Sequence, residues 1–87
     1  MRKYEFEEFK KVAVDAFMKQ VPEQFEKRAK NYLGTDEAEG FIKSGYNAYV
    51  NVLNDPEEYE DTCGDLSGDA VMMSFADDAA SNMEMCY

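Results

Sequence analysis

Carboxylates are the side chains in this sequence most able to do chemistry, and they are concentrated in one segment. At such short spacing they can bind a metal ion, act as an acid–base pair or present a negative surface to a basic partner. The candidate partner-binding residues are seven acids and one tyrosine: Asp55, Glu57, Glu58, Tyr59, Glu60, Asp61, Asp65 and Asp69.

A dedicated metal site needs ligands at a fixed spacing, which this segment lacks. Asp61, Asp65 and Asp69 are spaced like part of a calcium loop, but no window combines the alternating ligands, the central Gly and the final Glu of such a loop. The chain has no His, and Cys63 and Cys86 are too far apart for a zinc or redox motif. We therefore predict no metal and no cofactor.

Catalysis is also disfavoured by the composition. Without His the chain cannot form a Ser-His or Cys-His dyad. The acidic surroundings of Cys63 disfavour a reactive thiolate. Paired carboxylates need a pocket, and 87 residues of helix offer little concavity. We expect a protein that is not an enzyme.

The distribution of charge favours an interaction surface. Nine basic and nine acidic residues share positions 1–43, whereas positions 44–87 hold ten acids and no basic residue, so the formal charge of -10 belongs to the second half. This charge opposes direct binding to nucleic acid or to an anionic membrane. Acidic faces also serve solubility alone. The functional interpretation is that carboxylates imitate phosphates in a basic protein groove, with Tyr59 as an aromatic anchor.

Hydrophobic periodicity predicts helices almost throughout. Pro22 suits the first turn of a second helix, Gly34 its end, and Thr35 or Asp36 the cap of a third; Asp36 and Glu39 have the spacing of a capping box. The first helix has one apolar arc, which consists of Phe6, Phe9, Val12, Ala13, Ala16 and Phe17. The shared face of the second helix consists of Pro22, Phe25, Ala29, Tyr32 and Leu33.

The second half of the chain predicts a long third helix and two further helices. Gly45 lies within the apolar arc of the third helix, where it allows another helix to approach closely. Tyr46 and Tyr49 belong to the same arc, with hydroxyls that reach its edge. Asp55 caps a short helix, and after a loop the last helix starts at Asp69. Its apolar arc consists of Met72, Met73, Phe75, Ala76, Ala79, Ala80, Met83 and Cys86.

The prediction is one all-α domain over residues 1–87, a small bundle of four to five helices. The N-terminal sequence MRKYEFEEFKK lacks the apolar core of a signal peptide, and no run of residues is long enough to span a bilayer. We therefore expect a cytoplasmic protein with reduced thiols that does not bind membranes.

Two functions follow from these patterns. The first is an acidic interaction module that inhibits a nucleic-acid-binding protein, such as a nuclease, by occupying its basic groove. In size, acidity and helical pattern the chain resembles small phage or plasmid proteins that inhibit restriction or CRISPR nucleases; the resemblance is one of character and no residue carries it. The alternative is a helical adaptor or homodimer that uses its methionine-rich last helix, although methionines at helical spacing, here Met72, Met73 and Met83, usually fill the core.

Overall fold

The computed structural model describes residues 3–55, 57 and 68–87. In that part the chain is helical and without strands, which confirms the predicted all-α class. The short helix predicted from Asp55 falls mostly on residues outside the described ranges. Four α-helices are present in them, together with a 3-10 turn at Glu23–Phe25: α1 (Phe6–Gln20), α2 (Glu26–Tyr32), α3 (Asp36–Asn54) and α4 (Gly68–Cys86).

The starts of α2 and α3 are decided by local hydrogen bonds. Thr35 caps α3 because its hydroxyl accepts from the Ala38 N–H at 3.3 Å and donates to the Tyr32 carbonyl at 2.7 Å. Asp36 is therefore the first helical residue, and the predicted box with Glu39 does not form. The predicted start of the second helix at Pro22 is wrong, because Pro22 is extended and its carbonyl closes a 3-10 turn with the N–H of Phe25 at 2.9 Å.

α1 and α4 run parallel to each other, and α3 runs opposite to both. Tyr4, just before α1, hydrogen-bonds Asp69 at the start of α4, and Phe17 near the end of α1 contacts Tyr87 after α4. Contacts between α1 and α3 have the reverse order, since Phe6 meets Tyr46 and Lys10 meets Glu39. α4 packs against both of these helices and completes an elongated molecule of 42 × 21 × 19 Å.

The close approach predicted at Gly45 is confirmed. A Cβ atom on Gly45 would lie 3.2 Å from the Ala79 Cβ and 3.2 Å from the Phe9 Cζ, which is tighter than ordinary packing. The missing side chain therefore lets α3 contact α1 and α4 at one point. This contact sits within a core whose largest fully buried side chains are Tyr49, Phe9, Phe17, Ile42, Met83 and Val71.

The buried face of α4 differs from the predicted arc at its edges. Met72 and Met83 are buried as expected, but Met73 is 55% exposed and Cys86 is exposed. Val71, which lies outside the predicted arc, is fully buried. The reason is that α4 packs against two helices at once, which rotates its buried face toward Val71 and leaves Met73 on the flank beside α1.

Candidate acidic interaction surface

The structure places three of the predicted site residues at one end of the molecule. Asp55 directly follows α3, Glu57 comes two residues later, and Asp69 is in the first turn of α4; all three are exposed. Because α3 and α4 run in opposite directions, the end of the first meets the start of the second. The other predicted site residues lie outside the described part of the chain: Glu58, Tyr59, Glu60, Asp61 and Asp65.

Sequence reasoning missed a contribution from the start of α1. Glu5, Glu7 and Glu8 lie at this same end because α1 is parallel to α4. The sequence signal is the three acids at the start of the first helix, which the neutral total charge of residues 1–43 hides. Lys3 is the one basic residue that the structure describes here. We call this surface the acidic end, defined by Glu5, Glu7, Glu8, Asp55, Glu57 and Asp69.

Tyr4 ties the three helices of the acidic end together. Its backbone N–H donates to the Tyr49 hydroxyl at 2.9 Å, and its carbonyl accepts from the Tyr46 hydroxyl at 2.8 Å. Its own hydroxyl donates to the Asp69 carboxylate. Tyr46 and Tyr49 therefore do reach the edge of α3 with their hydroxyls, as predicted, and they hold the segment before α1 in place.

Helix dipoles act differently on the two parts of the acidic end. Glu7, Glu8 and Asp69 lie in the first turns of α1 and α4, where the partial positive charge of a helix stabilises carboxylates. Asp55 follows the C-terminus of α3, where the partial charge is negative and favours a cation instead. Glu57 lies beyond the end of α3 and is itself helical, so the dipole of α3 does not decide its placement.

The negative field of the acidic end also acts on Tyr46. Burial raises the pKa of its hydroxyl above the ordinary value, and the charge of Glu5 raises this pKa further. Both influences favour the protonated hydroxyl, which is the form that donates to the Tyr4 carbonyl.

The basic residues of α2 do not neutralise the acidic end. α2 connects the end of α1 to the start of α3, so it lies at the opposite end of the long axis. There Arg28 stacks over the Tyr87 ring at 5.9 Å, and Lys30 pairs with Glu26 at 2.8 Å. That far end mixes charges of both signs, whereas the acidic end is almost uniformly negative.

A second surface lies in the groove between α1 and α4. It has a volume of about 360 Å³, and its walls come from these two parallel helices. Its lining combines three apolar side chains with four polar or charged ones: Val12, Ala16, Met73, Asp15, Lys19, Gln20 and Asp77.

Within the described residues no group of three or more Cys, Asp and Glu side chains is arranged to hold a metal ion. Nor does any helix there combine the length and apolarity that crossing a membrane requires. No protein-family model matches the chain, and no curated protein or solved structure is significantly similar to it.

Proposed function

We propose that this protein is an acidic helical-bundle module that binds a basic groove of a nucleic-acid-binding protein, such as a nuclease, and thereby inhibits it. One observation carries the proposal: carboxylates from three helices gather at one end of the long axis, while the Lys and Arg residues of α2 lie at the other. The partner is a protein rather than nucleic acid, because the phosphate backbone would be repelled. We place this interaction in the cytoplasm.

The concentration of Asp55, Glu57 and Asp69 at the acidic end supports a role beyond solubility. Solubility requires net charge, which any exposed position supplies. At the acidic end the carboxylates of Asp55 and Glu57 add to those of Asp69 and of the start of α1, and like charges on one surface repel each other. A row of lysines or arginines from a partner would relieve this repulsion and gain charge-assisted hydrogen bonds.

The hydrogen bonds of Tyr4 support the proposal from a different direction. They connect the segment before α1 with α3 and α4, so they hold the carboxylates at the starts of α1 and α4 in a fixed position relative to α3. A pre-organised negative surface loses little conformational entropy on binding. We expect fast association that weakens strongly with salt, because the field extends only about 8 Å at physiological ionic strength.

Two variants with equal net charge test the proposal. The acidic-segment variant neutralises four carboxylates of the predicted site: Glu57→Gln, Glu58→Gln, Glu60→Gln and Asp61→Asn. The matched control neutralises four carboxylates elsewhere on the surface: Glu23→Gln, Asp36→Asn, Asp78→Asn and Glu84→Gln. Circular dichroism would check that both variants stay helical. Each is used with the native chain to capture proteins from a nuclease-treated cell lysate.

The native chain and the matched control should retain a nucleic-acid-binding protein that added double-stranded DNA displaces, and the acidic-segment variant should not. Equal capture by the two variants would show that the position of the neutralised carboxylates does not matter, which would contradict the proposed site. Capture that survives both high salt and added DNA would contradict occupation of a nucleic-acid groove.

The alternative, an adaptor or homodimer built on α4, is favoured by fewer features. Met72 and Met83 are buried inside the chain, which leaves Met73 and Met85 as the exposed methionines. These two are 55% and 74% exposed. A dimer formed through them should persist in high salt and dissociate on Met→Gln substitution, which analytical ultracentrifugation would detect.

A further inference from the structure

The groove between α1 and α4 has the surface of an unfilled helix–helix contact. Val12 and Ala16 are one turn apart on α1 and only half buried, and Met73 faces them from α4. Neighbouring helices supply such paired apolar positions where a third helix packs into the groove between them. Methionine also adapts its shape to different partners, which suits a docking site.

The charges on both sides of the groove determine which kind of partner helix it can bind. Asp15 stands on the α1 side and Asp77 on the α4 side, and both are exposed. Lys19 lines the groove on the same side as Asp15, one turn further along α1. An amphipathic helix with lysines or arginines along both edges of its apolar face would therefore meet a carboxylate on each side.

The same charges argue against a second copy of this chain as the occupant. A two-fold dimer brings the same patch of each copy together. Asp15 and Asp77 of one copy would then approach those of the other, and only Lys19 in each groove would offset their repulsion. A basic partner helix would be attracted to these carboxylates instead of repelled by them.

We propose that the α1–α4 groove is a docking site for a basic amphipathic helix of a partner protein. The apolar face of that helix packs on Val12, Ala16 and Met73, and its flanking cations pair with Asp15 and Asp77. This site goes beyond the proposed function, since it lies on the side of the molecule and includes no residue of the acidic end.

Synthetic peptides of about 18 residues, roughly five helical turns, provide the probe. The first contains leucines on one helical face and lysines on the other. The second replaces lysine with glutamate, and the third scrambles the first so that its charge stays and its apolar face disappears. Fluorescence anisotropy measures the affinity of each labelled peptide for the full chain.

Two substitutions in the groove are matched by two outside it. Met73→Gln and Asp77→Asn alter the groove, whereas Met85→Gln and Asp78→Asn alter exposed residues of the same types on the same helix that do not line it. All four positions are exposed, so the fold should be unaffected, and circular dichroism checks this.

The native chain should bind the leucine–lysine peptide about tenfold more tightly than either comparison peptide, and each groove variant should weaken that binding about fivefold. The matched variants should change it less than about twofold. Equal affinity for the scrambled peptide, equal effects of groove and matched variants, or no binding at all would overturn the proposal.

The acidic-segment variant separates this proposal from the proposed function. It should bind the leucine–lysine peptide like the native chain while it loses capture from the lysate. Loss of peptide binding in that variant would show that the peptide sits at the acidic segment rather than in the groove.

Discussion

The buried hydroxyl of Tyr49 accepts a hydrogen bond from the backbone N–H of Tyr4, 45 residues earlier in the chain, at 2.9 Å. Tyr49 is fully buried in the core, so this hydrogen bond fixes the segment before α1 relative to α3. The same residue, Tyr4, also bonds Asp69. The geometry of the acidic end thus depends on a side chain in the middle of the fold.

Removal of this acceptor should cost stability. Tyr49→Phe keeps the ring in the core but removes the hydroxyl that accepts from the Tyr4 N–H, and we expect a loss of about 1–3 kcal/mol in the free energy of unfolding. Urea denaturation measures this value. Tyr32→Phe serves as the control because the Tyr32 hydroxyl bonds the exposed Glu37, so it should cost less. Equal losses would contradict a special role for Tyr49.

Two glycines of α3 should respond oppositely to alanine. Gly45→Ala introduces a Cβ 3.2 Å from Ala79 and Phe9, and we expect a net destabilisation of about 1–3 kcal/mol from overpacking. At Gly40 a Cβ would meet no atom within 4 Å, so Gly40→Ala should stabilise by roughly 0.5–1 kcal/mol through helix propensity. Thermal or urea unfolding of the two variants provides the comparison; the same sign of change in both would contradict the close helix contact.

Stability should fall at alkaline pH because of Tyr32. Partial burial, together with the hydrogen bond to Glu37, raises the pKa of its hydroxyl from 10.0 to about 12. A pKa raised in the folded state gives stability that is fully present below pH 10 and is lost as the pH rises toward 12. The urea midpoint should therefore decline over that interval. A decline of the same size in Tyr32→Phe would assign the effect to other groups, among them Tyr46.

Lys19 should weaken the binding of a basic helix to the α1–α4 groove. It is the only cation in the lining of the groove, and its removal leaves Asp15 and Asp77 unopposed. Lys19→Gln should tighten binding of the leucine–lysine peptide by about two- to threefold at low salt. The comparison is Lys27→Gln on α2, which removes an equal charge outside the groove. Equally tighter binding in both variants would show that net charge alone explains the effect.

The sequence by itself determined the features that depend on neighbours along the chain. Helical periodicity predicted the helices, the threonine before Asp36 provided a cap, and Gly45 marked a close contact. These signals are local because a helix bonds residues three to four positions apart. Even so, Pro22 is extended and precedes a 3-10 turn instead of starting the helix, since a φ of -60° suits an extended residue as well as a helical one.

Only the tertiary structure decided which charges share a surface. The parallel course of α1 and α4 brings Glu5 and Asp69 to one end, and the chain direction sends the cations of α2 to the other. It also decided that Val71 is buried and Met73 exposed, which follows from packing against two helices at once. Distances between helices depend on how whole faces pack, and no local pattern along the chain contains that information.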